Sequence, residues 1–213
     1  MNKLDDQIFE DRRESFFLKL DGKAAIIPGA KLVRHHADCE YPFRQESNFW
    51  YLTGFDEPDA IALFLSHKPI GERYILFVHP KDVESEVWNG YRWGLDGAEK
   101  VFKADKSHPI SEFEKELPNY LIGADEIVFS VGNYPEIEQI VLNLWAKQID
   151  NYSRIGKAPR AIQSLGMYLN QMRLIKSKYE IERMREAALI SAKAHELVRL
   201  NLSSKKNEKQ VQG

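Results

Sequence analysis

The chain has 213 residues, 43% hydrophobic and 11% aromatic, enough apolar material for a sizeable core. Thirty Lys and Arg stand against 32 Asp and Glu, a formal charge of -2 with no basic stripe, which argues against a nucleic-acid ligand. No apolar run reaches the ~20 residues needed to span a bilayer, and the charged opening MNKLDDQIFEDRRE is unlike a secretory or transit signal, so no membrane role and a cytoplasmic location are expected.

Leu4, Ile8, Phe9, Phe16 and Leu20 fall at helical spacing, and Asp21-Gly22 ends that amphipathic helix. AAIIPG (24–29) reads as a buried strand closed by a turn. Ser47 is placed to cap a short helix through Asn48–Thr53, with Gly54 as its stop. AIALFLS (60–66) and RYILFVH (73–79) read as strands joined by the Pro- and Gly-containing turn HKPIGE, hence a hairpin. Helical segments are expected near 82–89, 97–103 and 111–121, a strand at 126–131, and a helix from Tyr134 to Ile149 with Pro135 in its first turn. This alternation predicts an α/β domain whose pattern ends near residue 155. Beyond it, Ser177 and Glu180 form a capping-box pattern ahead of Ile181, Met184, Ala187, Ile190, Ala194 and Leu197, a helix running to about Leu200. The polar stretch after it closes no further element.

Residue chemistry alone yields no catalytic centre. His35, His36, Asp38 and Glu40 are metal-ligand types, but neighbours on an extended segment point to opposite faces, and no metal site is expected there. HExxH, paired CxxC, GxSxG, GxxxxGK and GxGxxG are all absent. The single cysteine, Cys39, sits between Asp38 and Glu40 and is read as an unreactive thiol. Most aromatics of YPFRQESNFWYLTGFDEP (41–58) are expected in the core. Trp88 and Trp93, in the Gly-broken EVWNGYRWG, are candidates for an exposed contact surface.

Three ordered blocks carry a resemblance: DCEYPFRQESNFWYLTGFDEPDA (38–60), EVWNGYRWG (86–94) and MRLIKSKYEIERMREAALISAKAH (172–195). Together they resemble the amino-terminal part of aminopeptidase P, the Xaa-Pro aminopeptidases of the creatinase and prolidase superfamily (peptidase family M24). That resemblance implies an α/β domain, a mixed sheet with flanking helices and ribonuclease H-like topology, over residues 1–172. Residues 173–213 would be the linker and first helix of a truncated pita-bread catalytic domain.

The resemblance also implies a function. Enzymes of this family remove the first residue of peptides with proline at position two, using two divalent metal ions, commonly Mn2+, held by two Asp, one His and two Glu of the catalytic domain. The first two of those ligands are aspartates eleven positions apart, and no such aspartate pair occurs in residues 1–213. No catalytic residue, metal ligand or cofactor is therefore expected in this chain, and the chain alone is expected to be inactive. The implied partners are Xaa-Pro peptides and other copies of the protein, as a dimer or tetramer. In tetrameric members this domain lends residues to a neighbouring subunit's pocket. By position these are Asp38 near the peptide's amine or tail, Trp88 as a pocket wall, and Arg154, or Ser153 with a one-residue shift. Arg44, Gln45 and the turn through Gly54 would fix the loop that carries Asp38.

Two rivals share the architecture. Prolidase, restricted to dipeptides, has a similar FRQES and Glu-Pro pattern, but Tyr-Pro, Thr-Gly-Phe and the Trp-x-Gly element favour aminopeptidase P. A non-catalytic protein-binding module of the same fold is the other, and the long acidic tracts expected of it are absent from this chain.

Overall fold

The computed structural model describes residues 3–82, 84, 86, 87, 90–202 and 207–212, and divides into two compact units, 1–170 and 171–213. The first unit is built on a six-stranded sheet of β1 (Ala24–Pro28), β4 (Ile61–Leu65), β5 (Tyr74–Val78), β6 (Lys106–Pro109), β7 (Ile127–Phe129) and β8 (Ile162–Ser164), in the order β6-β5-β4-β1-β7-β8. β1 runs parallel to β7, and β7 to β8. β4 is antiparallel to both β1 and β5, and β6 is parallel to β5. A meander of three strands followed by two parallel ones is the expected ribonuclease H-like mixed sheet, with β6 added at the edge.

The central strands are apolar at every position because helices cover both faces, the condition that turns alternation into a continuous hydrophobic run. All five residues of β1, β4 and β5 are buried. On one face Ile26, Leu63, Phe77 and Phe129 pack with α4 (Phe113–Leu121) and α5 (Pro135–Asp150). On the other, Phe64 meets Phe16 and Phe17 of α1 (Lys3–Leu20) and stacks on Tyr74, ring centroids 5.2 Å apart. Each fully buried Phe or Leu contributes about 1.5–3 kcal/mol relative to exposure.

Three elements depart from the sequence expectation. The strand pattern does not stop at 155, because the short β8 lies beyond it and pairs with β7. β6 is a strand despite its polar KSHP sequence: the Asp105 carboxylate accepts the N–H groups of Arg73 (2.8 Å) and Tyr74 (2.9 Å), setting the next residues alongside β5. The helix expected at 97–103 is α3 (Gly94–Lys100), three residues earlier at each end. A small hairpin, β2 (Arg34–His36) and β3 (Cys39–Glu40), fills the connection after β1. α6 (Tyr152–Ile155) and α7 (Gly166–Leu174) flank β8 in sequence.

In the second unit α8 (Lys178–Asn201) starts as its sequence dictates: Glu180 N–H donates to Ser177 Oγ (3.2 Å) and Ser177 N–H to Glu180 Oε2 (2.7 Å), a complete capping box. Its apolar positions are exposed, Met184 at 58%, Ile190 at 69% and Leu197 at 61%. A short α9 (Glu208–Gln212) follows.

Candidate functional site

The two aromatic motifs converge on one corner of the first unit. The first is organised by α2 (Ser47–Thr53), whose cap is Glu46 rather than Ser47. The longer Glu46 side chain curls back so that Oε2 accepts the Phe49 N–H at 2.7 Å, leaving Ser47 inside the helix. Gly54 ends the helix at φ 65°, its N–H donating to Trp50 O at 2.8 Å. A Cβ there would stand 2.6 Å from the Phe9 ring, so both backbone and space require glycine.

Gln45 ties three segments with one amide. Its Oε1 accepts the N–H groups of Ala30 (2.7 Å) and Glu46 (2.8 Å), and its Nε2 donates to Phe55 O (3.2 Å) and Glu57 O (2.8 Å). The segment after β1, the start of α2 and the loop after α2 are thereby locked together. Arg44 is exposed, with no hydrogen bond or ion pair among the described residues.

Glu57 joins this corner to the second motif. It is only 8% exposed, and its Oε1 accepts the Trp93 N–H at 2.5 Å across 36 residues of sequence. Trp93 Nε1 donates to Asp56 Oδ1 at 3.3 Å, and the indole packs edge-on against Tyr91 and Phe102. Trp93 is thus a wedged, half-buried anchor and not the exposed surface residue its Gly-rich surroundings suggested. Burial raises the Glu57 pKa above the usual carboxylate range, opposed by the Trp93 N–H and the Arg92 charge. Its other oxygen, Oε2, and Arg92 Nη1 are both buried without a hydrogen-bond partner. Sequence reasoning passed over Glu57. Its one signal was an acid set between Phe55 and the apolar run from Ala60, a place where charge is rarely left without a task.

Asp38 lies in the exposed turn of the β2–β3 hairpin, following Ala37 at φ 43°. The pairing shifts register between Arg34 and His36, so His35 and His36 do not diverge as a regular strand would require. Their rings stand 5.0 Å apart and His35 sits edge-on to Tyr41 at 4.5 Å. Even so, no group of three or more His, Cys, Asp or Glu side chains among the described residues is placed to hold a metal ion. The exposed Cys39 has its Sγ 3.9 Å from Asp38 Oδ1.

Arg154 is exposed on α6, beyond the end of α5. The start of α5 is tied to the segment before the hairpin through the Lys31–Glu136 ion pair, and its 16 residues carry the chain about 24 Å away before α6 begins. The segments that lead to Asp38 and to Arg154 therefore leave the sheet from opposite ends. Trp88 lies outside the described residues. Glu84, Glu86 and Val87 beside it are helical, and Val87 is 76% exposed.

Next to the hairpin, a cleft of about 740 Å³ opens where the chain leaves β1 and β7 in opposite directions, the usual place for a binding crevice in an open α/β sheet. Pro28, Ala60, Ile110 and Ile137 line it, with Glu46 and Asp59 at its polar positions. Burial and the Glu46 charge push the Tyr134 phenol in this cleft up to about 12.

The corner offers buried charge, a satisfied amide staple and aromatic anchors, an arrangement that can hold and present side chains. A mixed sheet carrying these two stapled motifs is what the resemblance to the amino-terminal part of the creatinase and prolidase superfamily implied.

The comparisons agree. The family model for the aminopeptidase P N-terminal domain matches residues 9–129, and the chain belongs to that family. It is 33% identical to the Xaa-Pro aminopeptidase of Escherichia coli over 196 residues, covering 92% of this chain and 44% of that protein. It is 35% identical to the Haemophilus influenzae Xaa-Pro aminopeptidase, covering 92% and 43%. The structure of zinc-substituted E. coli aminopeptidase P in complex with product superposes with a TM-score of 0.89 at 32% identity, over 98% of this chain and 48% of that one. Proline aminopeptidase P II from Yersinia pestis gives 0.88 at 32%, with the same coverage. The chain thus spans less than half the length of these relatives.

Proposed function

We propose that this chain is the amino-terminal part of a metal-dependent Xaa-Pro aminopeptidase that removes the first residue from peptides with proline second. The observation that carries the reading is the relationship over 92% of the chain to proteins named for that activity, at 33% and 35% identity. Residues downstream would hold two divalent ions, Mn2+ in our reading, since no ligand set gathers among the described residues. When bound, such ions polarise the scissile carbonyl and lower the pKa of a bound water. The residues of this chain act by presentation. Asp38 at the hairpin tip, Trp88 and Arg154 reach a neighbouring subunit's pocket and narrow it to peptide ends. The protein is a cytoplasmic homo-oligomer on this reading.

The test compares three substrates with the product of the whole open reading frame: a pentapeptide with proline second, the same peptide with alanine second, and an Xaa-Pro dipeptide. Cleavage of the first, with the second spared, supports the reading. Cleavage of the dipeptide alone would make the protein a prolidase, and no cleavage of any would favour a binding module.

A further inference from the structure

The 90–94 loop has little of its own to hold it. Tyr91 is 63% exposed, Gly90 and Gly94 both have positive φ, and α3 begins only at Gly94. Polar contacts from outside set its course: Lys81 Nζ donates to Tyr91 Oη (3.2 Å), Glu86 Oε1 accepts the Arg92 N–H (3.2 Å), Asp56 Oδ1 accepts the Trp93 indole N–H (3.3 Å), and Glu57 Oε1 accepts the Trp93 backbone N–H (2.5 Å). Of these acceptors only Glu57 is buried, and its backbone carbonyl takes a hydrogen bond from Gln45, which ties it to the amide staple. A carboxylate taken out of water is retained at such cost only where it is paired, and a buried charge-assisted hydrogen bond holds geometry more firmly than a neutral one. The other half of the arrangement is Arg92, whose charge acts on Glu57 and whose Nη1 is buried with a free donor while Glu57 Oε2 is buried with a free acceptor.

We propose that Glu57 is the positioning residue of the 90–94 loop, fixing it through the Trp93 N–H. This rests on the proposed function only for its consequence, that the loop borders the surface offered to a neighbouring subunit. Glu57 touches no substrate. Its effect passes through the backbone of residues 92 and 93, so its loss alters how peptides are held more than how they are cleaved.

The experiment has two arms, with Glu57→Ala and Glu57→Gln. In the 213-residue chain, the Trp93 backbone amide resonance is followed by ¹⁵N-labelled NMR and assigned with a Trp93→Phe variant. A short hydrogen bond to a carboxylate places that amide far downfield. Glu57→Ala is expected to return it to the ordinary amide range, and Glu57→Gln, which keeps an acceptor, to leave it between the two. In the whole protein, kcat and KM are measured on the proline-second pentapeptide. Glu57→Ala is expected to raise KM roughly tenfold, the scale of one lost charge-assisted hydrogen bond, with kcat within about twofold. Glu57→Gln is expected to recover most of the loss. An unmoved Trp93 amide in Glu57→Ala overturns the proposal, as does a lowered melting temperature with KM unchanged, which would make the role purely structural. Should the unsubstituted whole protein show no peptidase activity, the proposed function falls and the amide resonance alone decides the role of Glu57.

Discussion

Gln45 shows how one side chain can hold a functional surface without touching a ligand. Its amide uses both acceptor and both donor capacities on three chain segments. With a net value of about 1 kcal/mol per bond, partly recovered by water, Gln45→Ala is expected to cost about 2–4 kcal/mol. Urea unfolding checks this, with the exposed Arg44→Ala as a control expected within about 0.5 kcal/mol of the parent. Equal midpoints for the two variants would contradict it. Two half-buried histidines carry a pH dependence. His67 Nε2 meets Tyr120 O at 3.0 Å and His108 Nε2 meets Tyr120 Oη at 2.6 Å, and burial lowers both pKa values below the ordinary histidine value. The folded state therefore resists protonation that the unfolded chain accepts near pH 6.5. Their contribution is complete above that pH and is lost as the pH falls below it. Glu57 has the opposite sign, because its raised pKa favours the folded state as the pH falls toward 4.5. Melting temperatures at pH 7 and 5.5 should fall with acid in the parent and fall less in His108→Gln; identical slopes would contradict the assignment.

At the scale of elements, legibility followed burial. The central strands and the helices α1 and α5 were readable because apolar periodicity is strong where a face is covered, and α8 was readable from its own capping box and apolar spacing although its face is exposed. β6 and β8 were not, since edge strands of three or four residues are specified by pairing partners and by Asp105, not by their own composition. Gly54 was legible as a helix stop from local chemistry, whereas the Glu46 cap was missed because Ser47 matched the usual cap type better. Trp93 was misjudged because the carboxylates that hold it, Asp56 and Glu57, are distant in sequence. The exposed stripe of α8 makes a further prediction. Met184, Ile190 and Leu197 present apolar surface along one helix, so the 213-residue chain should self-associate with rising concentration. Sedimentation velocity on the parent and on Ile190→Glu checks this; a monomer at all concentrations for both would contradict it.

For the whole molecule, the proposed function implies a division of labour between a folded presenting domain and chemistry supplied elsewhere in a longer protein. The amide staple at Gln45, the buried Glu57 and the hairpin that carries Asp38 make sense as a scaffold for side chains aimed outward. Among the described residues no group of three or more His, Cys, Asp or Glu is placed to hold a metal ion. The measurement to make first is the rate of release of the first residue from a proline-second peptide, for the 213-residue chain and for the product of the whole open reading frame, each after chelation and after Mn2+ is restored. The expected result is Mn2+-dependent release by the long form and none by the chain. Release by the chain alone, or by neither form with metal restored, would contradict the assignment of this domain to a metal-dependent Xaa-Pro aminopeptidase.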